Sequence, residues 1–310
     1  MLIINIDKSV DKVFMYLTDI SHDFDFHMEK PSIQNVYKLR FKRKKPPYIM
    51  PWLQNKIVFH TNQGRETYLQ WSINKKTSQV QYHFVIKNVI HFYWSTDNDI
   101  VYYYQYKSVD NMYVKYWLLH TFLPLYYVIE HKYQILHAGA VLVEGNAVLF
   151  AAPSFGGKST LTHHFLTKGH SLVSDDKLAI IEDNGVYQAI PSYPYARNYR
   201  ALEDLGEYVE NFAKKSTDIS AVYRLKKLDK EASICIKKVH GIAKFTVMEM
   251  CHDMKLSMLK KETFSNMHAM AKNIDIYEIG IPQDIQRLEE VYTFIVAHNK
   301  ILRTRRKNDI

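Results

Sequence analysis

The chain has 310 residues, 47% of them hydrophobic and 24% charged, which excludes a disordered polypeptide and leaves room for one large domain or two modest ones. A formal net charge of +9 favours anionic partners such as nucleotides, phosphopeptides or nucleic acid. The two cysteines, Cys235 and Cys251, form no CxxC pair, so neither a disulfide scaffold nor a cysteine-based metal site is expected.

The first residues lack the basic and apolar regions of a signal peptide. The most apolar stretch, 117–129, is too short to span a bilayer and contains His120 and Pro124. A cytoplasmic protein with no membrane partner is the expectation. Residues 1–111 read as a β-rich N-terminal domain, with strands expected over 79–86 and 100–106, where β-branched and aromatic residues alternate or cluster. A basic run at 38–45, from Lys38 to Lys45 and followed by Pro46 and Pro47, interleaves charge with aromatic residues. Such a run can bind a phosphate backbone, but a solvated strand edge or loop is the commoner use of it.

Residues 112–133 turn apolar with helical spacing and form a connector that Pro124 is expected to kink or divide. Residues 134–310 then form a second domain. Its tail, 282–301, carries Ile285, Leu288, Val291, Phe294 and Ile295 at helical spacing. Arg303, Arg305, Arg306 and Lys307 follow, where positive charge suits a helix C-terminus.

A second β-rich stretch begins at Ile135, and from there the sequence becomes informative. A strand pair is expected over 140–150 with a turn at Gly145 and Asn146, and its second strand runs into Ala152-Pro153-Ser154-Phe155-Gly156-Gly157-Lys158-Ser159-Thr160. A helix over 161–168 follows and ends at Gly169. Strand, glycine-containing loop closing on Gly-Lys-Ser, then helix is the context of a P-loop. Gly156 and Gly157 let backbone N–H groups turn inward around phosphate oxygens, and the helix adds its positive end. Lys158 can reach the β- and γ-phosphates, and the Ser159 hydroxyl can ligate Mg²⁺. Ser154, Phe155 and Thr160 complete the nucleotide-binding set. Ala152 stands where the general pattern has its first glycine.

A short strand over 170–174 ends in Asp175 and Asp176. One carboxylate can help hold Mg²⁺ while the other takes the proton from an attacking hydroxyl. His137, just before the strand pair, could orient a carboxylate. Taken alone, it is one of 15 histidines and reads as structural.

Leu136-His137-Ala138-Gly139-Ala140-Val141, the 152–160 loop, and Lys168-Gly169-His170-Ser171-Leu172-Val173-Ser174-Asp175-Asp176 together resemble the catalytic core of HPr kinase/phosphorylase and its relatives. The resemblance spans about residues 134–200, with the motifs in the family's order and spacing, and continues faintly beyond through Tyr193-Pro194-Tyr195-Ala196-Arg197 and a strand pair around 222–236. It implies an α/β, HPr kinase/PEP carboxykinase-like P-loop domain using ATP and Mg²⁺. It further implies Asp175 as general base, His137 supporting Asp175, Lys158 and Ser159 on the phosphates and the ion, Asp176 near the metal, and Arg197 on phosphate. HPr kinases assemble into oligomers, so a homo-oligomer agrees with the resemblance. Phe155 departs from the family's usual glycine, and the Arg-Gly-Leu-Gly segment of the HPr enzymes is missing. The chain therefore looks more like the HPr-kinase-related enzymes that phosphorylate ribosomal peptide precursors such as lasso peptides.

The leading expectation is thus a kinase acting on a hydroxyl, Ser first, of a peptide or small protein. A nucleotide-binding regulator that has lost catalysis is the alternative, supported by Ala152 and Phe155. A carboxykinase lacks a convincing metal set here, and nucleic acid is not the expected partner.

Overall fold

The computed structural model describes residues 2–4, 39–44, 55–60, 65–96, 98, 100–197 and 203–308. The chain divides into two compact units, Met1–Tyr126 with Arg200–Leu205, and Tyr127–Tyr199 with Gly206–Ile310. Among the described residues no helix is long and apolar enough to cross a membrane.

The first unit is a seven-stranded sheet ordered β1-β2-β7-β6-β5-β4-β3, from β1 (Leu2–Ile4), β2 (Leu39–Arg43), β3 (Asn55–His60), β4 (Glu66–Ile73), β5 (Val80–Ile86), β6 (Ile90–Ser95) and β7 (Ile100–Gln105). Strands β3 to β7 form an antiparallel meander, and β2 joins β7 in parallel. Cross-strand pairing aligns Leu69, Phe84, Phe92 and Tyr103 in one buried row. Phe122 stacks on Phe92 with ring centroids 3.8 Å apart and meets Phe41 edge-on at 6.1 Å. Such a cluster removes large apolar areas from water together.

Phe122 belongs to the segment expected as a connector, whose residues as far as Tyr126 are part of this unit. It runs as α1 (Asn111–Trp117), a π-helical turn (Leu118–Phe122) and α2 (Leu123–Ile129). Asp110 caps α1, accepting the Met112 N–H at 2.7 Å. Pro124 lacks an N–H and its ring crowds the carbonyl of His120, so the helix is divided by a wider turn just before it, as the sequence suggests. Glu203 is tied into this unit by the Arg65 guanidinium (Nη2 at 2.8 Å) and by the Trp117 indole N–H at 2.6 Å. The basic run lies partly outside the described residues, at Lys38 and Lys45 to Pro47. Its middle forms β2, a strand paired on both sides rather than the expected edge, with Lys42, Arg43 and Lys44 exposed.

The second unit is built on a nine-stranded sheet. Its strands are β8 (Gln134–His137), β9 (Gly139–Val143), β10 (Asn146–Ala151), β11 (Leu172–Ser174), β12 (Lys177–Asp183), β13 (Val186–Ile190), β16 (Thr217–Leu228), β17 (Ile236–Lys238) and β18 (Ile276–Pro282). A separate small hairpin pairs β14 (Tyr195–Ala196) with β15 (Glu207–Tyr208). The order is β11-β9-β10-β16-β13-β12-β8, and β18 pairs with both β16 and β17. The strand pair expected around 222–236 is therefore not a pair: β18 lies between β16 and β17.

Strand β10 shows why both faces of the sheet are covered. Ala147, Leu149 and Ala151 join one core with α4 (Ile242–Cys251) and α5 (Lys260–Asn273). Val148 and Phe150 join another with α3 (Lys158–Thr167) and α6 (Leu288–Asn308). Alternate side chains point to opposite faces, so a strand apolar throughout must be buried twice. Helix α3 sits tight on β9, since a β-carbon at Gly139 would stand 2.3 Å from Thr162 Oγ1. The β9–β10 turn is centred on Glu144 (φ 50°) and Gly145 (φ 86°), one residue earlier than the sequence suggests. Two left-handed residues match the twist of a tight hairpin.

Candidate active site

Strands β10, β16 and β18 run parallel, so their C-terminal ends share one edge of the sheet. Open α/β sheets present ligand sites at that edge. Residues 152–157 leave β10 there and turn into α3. The turn is tight: a β-carbon on Gly156 would lie 2.5 Å from Ala152 Cβ and 2.9 Å from the Pro153 carbonyl oxygen. Gly157, the residue before α3, has φ 92°, where a side chain is strained. Phe155 takes φ 62° and is 79% exposed. Ser154 and Thr160 are exposed too. Lys158 is buried, and its Nζ donates to the carbonyls of Ala152 at 2.6 Å and Pro153 at 3.3 Å. The loop thus curls around its own lysine.

The aspartates arrive from the other side of β9. Strand β11 pairs with β9 and ends at Ser174, and β12 begins at Lys177 by pairing with β8. Asp175 and Asp176 occupy the step between two strand partners, and both are buried. Ser159, one residue beyond Lys158, is near enough to the Asp175 carboxylate to favour its charged form, which puts the loop and the acidic pair at one place. Burial pushes the Asp175 carboxyl above its ordinary range; the Arg197 N–H, at 3.0 Å from Oδ2, opposes the shift, while the charge of Asp176 adds to it.

Asp176 is held differently. His137 Nδ1 lies 2.5 Å from Oδ1, and Arg197 Nη2 lies 2.6 Å from Oδ2. The β8–β12 register, which sets Lys177 opposite His137, explains the first contact. His137 was expected behind Asp175 and stands instead beside Asp176. Arg197, expected on phosphate, places its guanidinium on Asp176 and its backbone N–H on Asp175. A single residue thereby orients both carboxylates.

Two further elements brace the pair. Ser192 bonds to the Lys177 carbonyl and approaches Ser174 Oγ at 3.3 Å, and Lys177 Nζ donates to Asp253 at 2.6 Å. Sequence reasoning missed both. Lys177 directly after the acidic pair was the available signal, whereas Ser192 between apolar residues offered none.

The residues fit a nucleotide phosphate with a hard cation. The cradle needs the missing β-carbon of Gly156, and Ser159 and Asp176 supply oxygen donors of the type Mg²⁺ takes. Among the described residues no group of three or more His, Cys, Asp or Glu could hold a metal alone. An ion here needs phosphate oxygens to complete its shell.

No curated protein matches the sequence. Among solved structures, the Hpr(Ser) kinase/phosphatase from Coxiella burnetii is similar at 15% identity over 57% of this chain and 95% of that one, with a TM-score of 0.36. The family described as SynChlorMet cassette protein ScmC matches residues 106–286, more than half of the chain, and the chain belongs to that family.

Proposed function

We propose that this chain is an ATP- and Mg²⁺-dependent kinase that passes the γ-phosphoryl group to a hydroxyl, foremost that of Ser, on a peptide or small protein. The observation that carries the reading is the pairing of a glycine-turned loop, closed on the buried Lys158, with the buried carboxylate of Asp175, whose charged form Ser159 at the start of the helix favours. A phosphate held by the loop would therefore lie beside a carboxylate whose burial favours accepting a proton.

In this reading residues 152–157 form a P-loop whose backbone N–H groups bind phosphate oxygens. Lys158 leaves the Ala152 and Pro153 carbonyls for the β- and γ-phosphates. Ser159 would hold Mg²⁺, with Asp176 close by and both its oxygens engaged by His137 and Arg197, and the ion would supply charge neutralisation for the moving phosphoryl group. Asp175 accepts the proton of the attacking hydroxyl. Arg197 keeps both carboxylates in place, and positioning of this kind is most of what phosphoryl transfer asks of a protein.

A protein of a family described as a cassette protein suits an acceptor encoded beside it, such as a ribosomal peptide precursor of the lasso type. A second reading, a nucleotide-binding regulator without catalysis, draws on Phe155, a bulky residue in left-handed conformation within the loop. One experiment separates the two. The protein is incubated with ATP, Mg²⁺ and the peptides encoded next to it, and the peptides are weighed by mass spectrometry. Addition of one phosphate, lost in Asp175→Asn while nucleotide still raises the melting temperature, supports the kinase. Transfer by Asp175→Asn at the wild-type rate removes Asp175 from the chemistry, and nucleotide stabilisation with no transfer to any peptide favours the regulator.

A further inference from the structure

Strands β16 and β18 do not end where the loop begins. Ala151, the last residue of β10, pairs with Arg224, and β16 and β18 run on side by side beyond that level, to Leu228 and Pro282. One face of this ribbon changes character where β10 stops. Val222 and Ile276 belong to the core shared with α4 and α5. Two residues on, the same face carries Arg224 and its cross-strand partner Glu278, then Lys226, with Lys237 of β17 opposite Glu278. The side chains of Arg224 and Lys226 are 41% and 60% exposed, and Lys237 is exposed too. Arg224 stays close to the loop, since its charge and that of Lys158 both act on the buried Cys251 thiol.

A cationic ledge beside a phosphate loop meets whatever is brought to the phosphate. Here Arg224, Lys226 and Lys237 stand around the carboxylate of Glu278. That carboxylate lies 3.5 Å from Arg224 Nη1 and 3.4 Å from Lys226 Nζ, longer than a charge-assisted hydrogen bond, so it is shared between them and positive charge is left over. Arg224 and Lys226 are two residues apart on one strand, about 6.6 Å, which is also the spacing of alternate side chains in an extended peptide. A phosphate backbone fits less well, because its unbroken charge would meet Glu278 in the middle of the row. We propose that this ledge binds acidic side chains flanking the acceptor hydroxyl, so that the preferred acceptor is an extended acidic segment with carboxylates at alternate positions. The inference rests on the kinase reading above and names the substrate class of that site.

The test uses the full chain with ATP, Mg²⁺ and three labelled synthetic peptides that share one Ser and carry Glu, Gln or Lys at alternate positions around it. Fluorescence anisotropy measures binding, and mass spectrometry follows transfer. Wild type should bind the Glu peptide about fivefold or more tightly than the Gln peptide, and salt should narrow the gap. Arg224→Glu combined with Lys226→Glu should reverse the order in favour of the Lys peptide, with the ATP Kd unchanged. Lys226→Glu and Lys237→Glu alone, at exposed positions, should each give part of the shift and do not depend on how an Arg224 variant folds. Equal binding of the three peptides by wild type, or a loss in the variants that is the same for all three, overturns the ledge and leaves the kinase reading standing. Weaker ATP binding in the reversed variant assigns Arg224 to the nucleotide and overturns the ledge as well. So does displacement of the Glu peptide by an equal concentration of oligothymidylate of the same length, which would point to a phosphate backbone. Selective binding of the Glu peptide with no phosphate transferred to any peptide overturns the kinase reading, and the acceptor role of the ledge with it.

Discussion

Replacing Asp175 by asparagine should make the unliganded protein more stable near neutral pH while removing its chemistry. Asp175 is 4% exposed, and desolvation outweighs the hydrogen bonds that favour its ionised form, so its carboxyl titrates above the ordinary 3.8. Asparagine has nearly the same shape. Its carbonyl oxygen can accept the Arg197 N–H now held at 3.0 Å. The exchange deletes a buried charge and its repulsion with Asp176 without stranding that donor. A gain of about 1–2 kcal/mol follows, the size usual when a strained functional group is removed. For a domain of this size that raises the melting midpoint by roughly 2–8 °C. The pH dependence carries the sign. The folded protein binds the Asp175 proton more tightly than the unfolded chain, so wild type is relatively stable below pH 3.8 and loses that stability as pH rises through the folded-state value. The advantage of the variant should be absent in acid, grow across that window and then stay constant. Calorimetric melting of both proteins from acid to neutral pH measures it. A variant less stable than wild type at neutral pH, or an advantage equal at every pH, would refute the claim that burial dominates this carboxylate.

The other predictions are more local. Gly156→Ala forces a β-carbon to within 2.5 Å of Ala152 Cβ and 2.9 Å of the Pro153 carbonyl, so the loop must move. Denaturant melts should show a loss of about 1–3 kcal/mol, and calorimetry a weaker nucleotide. Arg197→Lys keeps the backbone N–H on Asp175 but loses the planar guanidinium on Asp176. Turnover should fall about tenfold or more, with the nucleotide Kd unchanged. In the first unit His83 Nε2 lies 3.1 Å from His91 Nδ1, and His91 Nε2 lies 3.2 Å from the Tyr106 hydroxyl. Burial pulls both imidazoles down from 6.5 to about 4. Each is held neutral by the fold, so stability is retained above pH 6.5 and lost as pH falls through about 4. His91→Phe should shift acid unfolding, followed by circular dichroism, to lower pH; an unchanged acid midpoint would exclude these imidazoles as its cause.

Local patterns were legible where one short segment decides the outcome. Strands expected over 79–86 and 100–106 appear as Val80–Ile86 and Ile100–Gln105, and the helix after the glycine loop runs from Lys158 to Thr167 with Gly169 beyond it at φ 86°. The tail helix is present too, as Leu288–Asn308. What failed was pairing. Residues 222–236 look like a hairpin because two β-rich runs flank a polar stretch. Their true partner, β18, lies some forty residues on, and periodicity carries no information about partners that far away. The apolar segment with Pro124 reads as a connector because apolar helical spacing does not say which surface it covers. Only the row formed by Leu69, Phe84, Phe92 and Tyr103 creates the face that Phe122 fills.

The site shows the same divide at finer scale. Lys158, Ser159, Asp175 and Asp176 stand out in the sequence because such residue types in this order suit phosphate chemistry. Which carboxylate His137 touches is decided by the register of β8 on β12, and a slip of one residue would turn its side chain to the other face. Arg197 was seen as a charge, but its charge reaches Asp176 only because its backbone is tied to Asp175. The two carboxylates are adjacent in sequence and differently placed: Asp175 accepts the backbone N–H of Arg197, while Asp176 meets an imidazole and accepts from a guanidinium. Burial raises the proton affinity of Asp175 against the opposing pull of the Arg197 N–H and its charge, which suits a group that is to accept a proton. That asymmetry is why Asp175, rather than Asp176, is the group to test first.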